Sequence, residues 1–254
     1  MALFKGAGVA LVTPMHEDGT VNFEVLESII EEQILGDTDA IISVGTTGEA
    51  ATLTEEEHIE VIAHTVKVVN HRIPVIAGTG SNCTDSAIYL SKKAEEVGAD
   101  GLLLVTPYYN KATQNGLYQH FKAIAQSVSI PSILYNVPGR TGMSIEAKTM
   151  AALYHDVKNI IGVKDAGGDM GKTLELMSLV DEGLSIIYLF GDEFTIPHDR
   201  ENISYVGILK KPCVHCAVRA KSELDEKNIF VSNVALCLSY ENCTADILKG
   251  KNVW

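Results

Sequence analysis

The amino-acid sequence predicts a (β/α)8 barrel, and three observations favour that fold class. Short apolar runs without polar alternation are typical of parallel strands that are covered on both faces. They alternate with stretches of helical period, at a spacing of roughly 25–35 residues that suits a strand-plus-helix unit. Seven or eight such units fit within the 254 residues of the chain. A closed barrel accommodates that number of units, and a doubly wound open sheet is the alternative.

The individual elements follow from the same periodicities. The predicted strands are Gly8–Thr13, Ala40–Val44, Pro74–Gly78, Gly101–Thr106, Ser132–Asn136, Ile160–Lys164 and Ser185–Phe190, with an eighth near Ile203–Leu209. Helices are predicted within Val25–Leu35, Glu55–Val69, Thr84–Val97, Gly116–Val128 and Thr173–Val180. A capping box begins at Thr54, and a looser helix start, which lacks the third-position carboxylate, begins at Ser144.

Composition excludes some classes of function. The net charge of −13 argues against a non-specific nucleic-acid binder, which needs a basic face. No apolar run reaches the roughly 18 residues of a membrane span, and the N-terminus lacks a signal-peptide pattern. The chain has five cysteines, an odd number that indicates reduced thiols: Cys83, Cys213, Cys216, Cys237 and Cys243. We therefore expect a cytoplasmic protein with no nucleic-acid or membrane partner.

Four cysteines near the C-terminus offer a possible metal-binding pattern, of which one close pair is complete. Cys213-x-x-Cys216, with His215 between the two thiols, has the spacing of a zinc-binding pair. Cys237 and Cys243 do not form a second close pair, so no metal site is predicted.

Lys164 is the most informative residue, because it ends the apolar run Ile160–Lys164. A lysine at the end of a buried strand is either half of an ion pair or an amine whose pKa is lowered for attack on a carbonyl. In a barrel the carboxyl ends of all strands share one face, where active sites are built. Polar residues follow every predicted strand, so they are expected to converge around Lys164.

Several of these residues suit Schiff-base chemistry. The Tyr135 hydroxyl, extended by Thr46 and Tyr109, can act as the proton relay that loss of water requires. Thr46, Thr47 and turn amides offer donors to a carboxylate, and Arg140 can grip a second one. These residues also have a structural interpretation: Tyr108 and Tyr109 as packing and interface residues, Thr46 and Thr47 as turn and capping residues, and Arg140 as a solvated loop charge.

Four motifs carry a resemblance to a known family. They are Gly45-Thr46-Thr47-Gly48-Glu49, Tyr108-Tyr109-Asn110-Lys111, Tyr135-Asn136-Val137-Pro138-Gly139-Arg140-Thr141-Gly142 and Gly162-Val163-Lys164-Asp165. In order and spacing the chain resembles the dihydrodipicolinate synthase (4-hydroxy-tetrahydrodipicolinate synthase) family, from about residue 4 to about residue 197. The resemblance implies a (β/α)8 class I aldolase-type lyase. Such a lyase condenses pyruvate with L-aspartate 4-semialdehyde in diaminopimelate and lysine biosynthesis.

The resemblance also implies roles for individual residues. Lys164 would form the Schiff base, and Tyr135, Thr46 and Tyr109 would form the relay, with Tyr109 entering the site of a neighbouring subunit. Thr47 would bind the pyruvate carboxylate and Arg140 that of the semialdehyde. Ile208 would place a backbone carbonyl near the pyruvate. The family pattern implies a homotetramer or dimer, no metal and no organic cofactor.

A lysine-binding regulatory site of the family corresponds to Ala51, His58, Asn82 and Tyr108. Ser86 stands where sensitive members carry a glutamate that pairs with the lysine amine, and Glu55 stands where some carry histidine. Loss of the pairing carboxylate removes a contact of about 1.5–3 kcal/mol. Weak or absent inhibition by lysine is therefore expected.

The region after Glu193 departs from the family pattern and is shortened. We assign residues 1–227 to the barrel, whose eighth unit does not match the family, and residues 228–254 to a short C-terminal extension. This tail is a divergent eighth unit, a sequence error or frameshift, or the mark of a member that has lost activity.

Three alternative functions remain at this stage. They are an N-acetylneuraminate lyase, a 2-keto-3-deoxy sugar acid aldolase and an inactive oligomeric homologue. Arg140 and the tandem Tyr108-Tyr109 suit a short charged aldehyde better than a polyol, and they favour the synthase among the enzymes.

Overall fold

The computed structural model describes residues 3–5, 7–188 and 203–208. Its elements follow in the order β1 (Ala7–Ala10), α1 (Phe23–Leu35), β2 (Ala40–Ser43), α2 (Glu55–Val69), β3 (Val75–Gly78), α3 (Thr84–Glu96), β4 (Gly101–Val105), α4 (Gln114–Ala125), β5 (Ser132–Asn136), α5 (Pro138–Thr141), α6 (Ala147–Asp156), β6 (Ile160–Asp165), α7 (Met170–Leu179), β7 (Ser185–Tyr188) and β8 (Ile203–Ile208). The predicted fold class is confirmed.

All eight strands are parallel and form a closed barrel in sequence order. β8 pairs with β7 on one side, and on the other it pairs with β1 from Ala7↔Tyr205 to Ala10↔Ile208. The eighth strand therefore leaves no open edge between β7 and β1. The cysteines Cys213, Cys216, Cys237 and Cys243, together with His215 and the predicted extension 228–254, lie outside the described residues.

Alternating residues of the strands divide the core into two layers. One set, which includes Ile42, Ile76, Leu103 and Ile133, packs inside the barrel together with Phe4. The alternate set packs outward against the helices, as Ile41 and Leu102 do. Since successive side chains of a strand point to opposite faces, a single strand contributes to both layers. Side chains thus fill the interior of the barrel below its mouth, the rim that the carboxyl ends of the strands form. Only this rim is left to build a site.

Local signals account for most helix starts. The capping box of α2 is present: the Thr54 hydroxyl accepts the Glu57 N–H, and the Glu57 carboxylate accepts the Thr54 N–H. The looser start predicted at Ser144 differs from the structure, because α6 begins at Ala147 without a side-chain cap. The Ser144 hydroxyl instead contacts the side chain of Asn136. None of the helices in the described part of the chain is long and apolar enough to cross a membrane.

Candidate active site

Lys164 and Tyr135 form the centre of the candidate site. They are direct partners in the register of β5 and β6, so their side chains leave the sheet on the same face. The Lys164 Nζ lies 4.1 Å from the centroid of the Tyr135 ring. Both residues are almost fully buried, with 3% and 2% of their surfaces exposed.

The surroundings of Lys164 favour the neutral amine. Burial, with a smaller contribution from the positive charge of Arg140, lowers the pKa of Lys164 to about 7. Among residues 3–5, 7–188 and 203–208, none of the ion pairs includes Lys164. The adjacent carboxylate of Asp165 is bonded instead to Asn136, Gly167 and Thr173. Of the two interpretations that the sequence left open, the structure supports the reactive amine over the ion pair.

Tyr135 has the protonation state that a proton donor requires. Burial raises the pKa of its hydroxyl, whereas interactions with the Thr46 side chain and the Arg140 charge act in the opposite direction. The net shift is upward, so the hydroxyl keeps its proton at neutral pH. The same interactions place Thr46 and Arg140 close to Tyr135, as expected for residues that share a site.

A cavity of about 540 Å³ opens at the ends of β2 to β5. Its lining includes six of the predicted catalytic, substrate-binding and regulatory residues: Thr46, Ala51, His58, Tyr108, Tyr135 and Arg140. Thr47, Asn82 and Tyr109 are not part of the lining. Lys164 does not line the cavity either, but it lies against the Tyr135 ring, which does. The cavity therefore joins part of the expected catalytic and substrate-binding set, Thr46, Tyr135 and Arg140, to part of the expected regulatory set, Ala51, His58 and Tyr108.

The turn that carries Thr46 and Thr47 is held by close backbone packing. Val44 has a positive φ of 51°, which is a strained conformation for a β-branched residue. A Cβ on Gly78 would lie 2.3 Å from the Val44 carbonyl oxygen, so only glycine fits at the end of β3. The hydroxyl of Thr13 donates to the Gly48 carbonyl at 2.7 Å and ties the far side of the turn to the end of β1. Thr46 is consequently exposed to the mouth and Thr47 is half-buried.

Tyr108 and Tyr109 have opposite environments. Tyr108 is partly buried and lines the cavity, whereas Tyr109 is 89% exposed and has a positive φ of 73°. An aromatic side chain this exposed has no packing role among the described residues. The packing interpretation of the tandem therefore fits Tyr108 and does not fit Tyr109.

His58 and Asn82 make contacts within the protein. The buried His58 ring donates from Nε2 to the Gly78 carbonyl at 2.7 Å, and burial lowers its pKa. The Asn82 carbonyl accepts a hydrogen bond from the Asn110 side chain. Glu55 and Ser86, the two positions at which the sequence departs from lysine-sensitive members, both line the cavity.

Comparison with known proteins assigns the family. The model of the dihydrodipicolinate synthetase family matches residues 3–199. The chain belongs to this family. A 4-hydroxy-tetrahydrodipicolinate synthase from Lachnoclostridium phytofermentans is 53% identical over 197 residues, which are 78% of this chain and 67% of the relative. The solved dihydrodipicolinate synthase from Aquifex aeolicus is 48% identical, with a TM-score of 0.71 over 73% of this chain and 63% of that one.

A second solved structure extends the dihydrodipicolinate synthetase match further along the chain. It is the chloride-inhibited dihydrodipicolinate synthase from Acinetobacter baumannii complexed with pyruvate. It has 38% identity and a TM-score of 0.74, and the match covers 96% of this chain and 88% of that one. The chain spans about two thirds of the length of the curated relatives that it matches.

Two residues of this family member were not predicted as part of the site. Asn136 and Asp165 follow Tyr135 and Lys164 directly, and their side chains are hydrogen-bonded at 3.0 Å. The signal in the sequence was the buried polar residue after each reactive one. Ile208, for which the resemblance implies a carbonyl near the substrate, is the last residue of β8 and pairs with Ala10 of β1.

Proposed function

We propose that the protein is a 4-hydroxy-tetrahydrodipicolinate synthase, a lyase that condenses pyruvate with L-aspartate 4-semialdehyde through a Schiff base. The observation that carries this proposal is a buried lysine amine that contacts a buried tyrosine and has no ion-pair partner among the described residues. Its burial lowers the pKa of the amine to about 7. At neutral pH about half of such an amine is uncharged, and only the uncharged form attacks a carbonyl.

The first half of the reaction joins pyruvate to Lys164. The amine nitrogen attacks the C2 carbonyl of pyruvate and forms a carbinolamine. Tyr135 delivers the proton with which the carbinolamine hydroxyl leaves as water, and a C=N bond remains between enzyme and substrate. Thr46 supports this step because it interacts with the Tyr135 hydroxyl. The imine itself draws electrons from the adjacent carbon, so the step requires neither a metal nor an organic cofactor.

The second half forms the new carbon–carbon bond. Loss of a proton from the methyl carbon of the bound pyruvate gives an enamine, which attacks the aldehyde carbon of the semialdehyde, and the aldehyde oxygen takes up a proton to become a hydroxyl. The amino group of the semialdehyde then displaces Lys164 from the imine carbon, which closes the product ring and frees the lysine amine. Arg140 lines the cavity and is exposed at its mouth, where its planar guanidinium suits a carboxylate of the incoming aldehyde. Thr47 and the backbone of its turn are proposed to hold the pyruvate carboxylate, and the Ile208 carbonyl is proposed to lie near the pyruvate.

We infer that the active protein is a homo-oligomer, a tetramer or a dimer, in the cytoplasm. Tyr109 carries this inference because its ring is exposed and its backbone is strained within one subunit. Insertion of Tyr109 into the mouth of a neighbouring subunit extends the relay of Tyr135 and Thr46 toward solvent and removes the exposed ring from water.

Borohydride trapping tests the first half of the reaction. The protein is incubated with pyruvate, reduced with borohydride and digested, and the mass of the Lys164 peptide is measured. We expect a stable pyruvyl adduct on Lys164, and no adduct in the Lys164→Ala variant. An unchanged mass in the wild-type protein under these conditions contradicts the proposal and favours an inactive homologue.

A coupled assay with different aldehydes tests the substrate. With pyruvate present, the protein that has not been treated with borohydride should turn over L-aspartate 4-semialdehyde and not the polyol aldehydes that sialic acid or 2-keto-3-deoxy sugar acid aldolases use. Arg140→Ala should raise the KM for the semialdehyde and leave pyruvate trapping intact. Turnover of a polyol aldehyde in place of the semialdehyde would assign the protein to another pyruvate-dependent aldolase.

A further inference from the structure

A hydrogen bond between two side chains joins the ends of β5 and β6 just beyond the reactive residues. The Asn136 Nδ2 donates to the Asp165 Oδ1 at 3.0 Å, and both residues are buried. We call this pair the strand-end clamp. The ladder between the two strands pairs Asn136 with Asp165 and, one step earlier, Tyr135 with Lys164.

The clamp lies on the opposite face of the sheet from the reactive pair. Successive residues of a strand point to alternate sides, so Tyr135 and Lys164 share one face while Asn136 and Asp165 share the other. The contact of Asp165 with Thr173 of α7 agrees with an outward direction. Neither member of the clamp lines the cavity, so its influence on the site passes through the strand ends.

Both members of the clamp are fixed by further hydrogen bonds. The Asp165 Oδ1 also accepts the Gly167 N–H at 3.0 Å, and its Oδ2 accepts the Thr173 hydroxyl at 2.9 Å. The Asn136 Oδ1 accepts the Ile145 N–H at 3.1 Å. Every one of these contacts presents a donor to an oxygen, so the buried carboxylate is satisfied without drawing on the Lys164 ammonium.

The fit around the clamp is tight. A Cβ on Gly167 would lie 3.0 Å from the Asp165 Oδ1 and 3.4 Å from the Asn136 Nδ2. A methyl group at this position would therefore press on both members of the clamp without removing a polar atom.

We propose that Asn136 and Asp165 are positioning residues, which set the distance and angle between the Lys164 amine and the Tyr135 hydroxyl. This inference rests on the proposed Schiff-base function. A hydrogen bond between strand ends restricts their relative movement where the ladder stops. Misplacement of reacting groups by about 1 Å can cost about 100-fold in rate.

The test compares trapping kinetics in Asn136→Ala and in a matched control, Asn159→Ala. The Asn159 side chain donates to three backbone carbonyls, among them those of Ala125 and Ile130. The backbone carbonyl of Asn159, which the substitution leaves in place, joins β5 and β6 at the end of the strands far from the clamp. Asn136→Ala should lower the limiting rate of borohydride trapping at saturating pyruvate by at least about tenfold. The pyruvate concentration that gives half-maximal trapping should change less than about twofold, since the clamp does not contact substrate. Asn159→Ala should be destabilised yet keep the wild-type trapping rate.

Gly167→Ala provides a second perturbation if Asn136→Ala fails to fold, and it should shift the limiting rate in the same direction. Equal limiting rates in wild type, Asn136→Ala and Gly167→Ala would overturn the clamp proposal. So would an equal loss in Asn159→Ala, because that result indicates a general effect of stability. If the wild-type protein itself is not trapped, the proposed function fails, which is a different outcome from failure of the clamp.

Discussion

Replacing Lys164 with methionine should stabilise the protein while abolishing its activity. The folded protein holds the pKa of Lys164 at about 7, against 10.5 for an unperturbed lysine. Because the folded pKa is the lower one, the unfolded chain binds more protons between these two values. The stability of the wild-type protein therefore rises with pH across that window. Methionine fills similar space without an ammonium group, and its thioether suits the Tyr135 ring.

The magnitude follows from the size of the shift. The folded and unfolded pKa values of Lys164 differ by about 3.5 units. At about 1.36 kcal/mol per unit, this difference lowers the free energy of unfolding by about 5 kcal/mol at low pH, where Lys164 is protonated in both states. At pH 7 about half of the folded molecules have a deprotonated Lys164, so the destabilisation caused by this residue is about 4 kcal/mol. It falls to about 2 kcal/mol at about pH 9, because the lower proton concentration makes release of the proton on folding less costly. These figures are upper limits for the gain in Lys164→Met.

Urea unfolding of wild type and Lys164→Met at about pH 7 and about pH 9 measures this difference in stability. A reductant is present to keep the thiols reduced. Lys164→Met should have the higher free energy of unfolding, with an advantage that shrinks as pH rises. Lys93→Met is the control, because Lys93 is a surface residue paired with Glu96 and should show no such gain. A Lys164→Met variant that is no more stable than wild type at pH 7, or whose advantage is independent of pH, would refute the reasoning.

Three further predictions concern the site and its surroundings. Tyr135→Phe should slow turnover by about 100-fold, a usual contribution of a proton donor. Its circular dichroism spectrum should be unchanged, and a turnover rate equal to that of wild type would exclude Tyr135 from the relay. Gly78→Ala should destabilise the protein by about 1–3 kcal/mol, measured by urea unfolding, because the new methyl meets the Val44 carbonyl. A lysine titration of activity should show weak or no inhibition, and Ser86→Glu should lower the half-inhibiting concentration; half-inhibition of wild type at low concentration contradicts this expectation.

The strands could be predicted closely from the sequence because their signal is local. Uninterrupted apolar runs placed β2, β4 and β5 within one residue of their observed ends. β1 ends at Ala10, three residues before its predicted end at Thr13. The Thr13 hydroxyl instead bonds to the Gly48 carbonyl, a tertiary contact that a local sequence pattern does not show. The short helix α5 also escaped prediction, because four residues carry no measurable periodicity.

The candidate site was predictable as a set of residues and not as an arrangement. Lys164, Tyr135 and Thr46 stand at strand ends, so a barrel brings them together whatever their separation in sequence. The environment of Tyr109 and the contact between Asn136 and Asp165 depend on loop geometry and register. A sequence pattern does not specify those features to within a residue. The positive φ of Val44 is a further case, because a valine carries no sequence signal for that conformation.

The junction of β8 with β1 has a consequence for how the family tolerates change. The family match ends at residue 199, yet residues 203–208 complete the ring. The bonds that join these two strands come from peptide N–H and C=O groups, which every amino acid except proline supplies in full. Exchange among apolar residues along this stretch is therefore compatible with an intact ring, whereas proline at a donor position would remove a hydrogen bond from the ladder. Mutational scanning of residues 203–208 should accordingly show acceptance of other apolar residues and intolerance to proline.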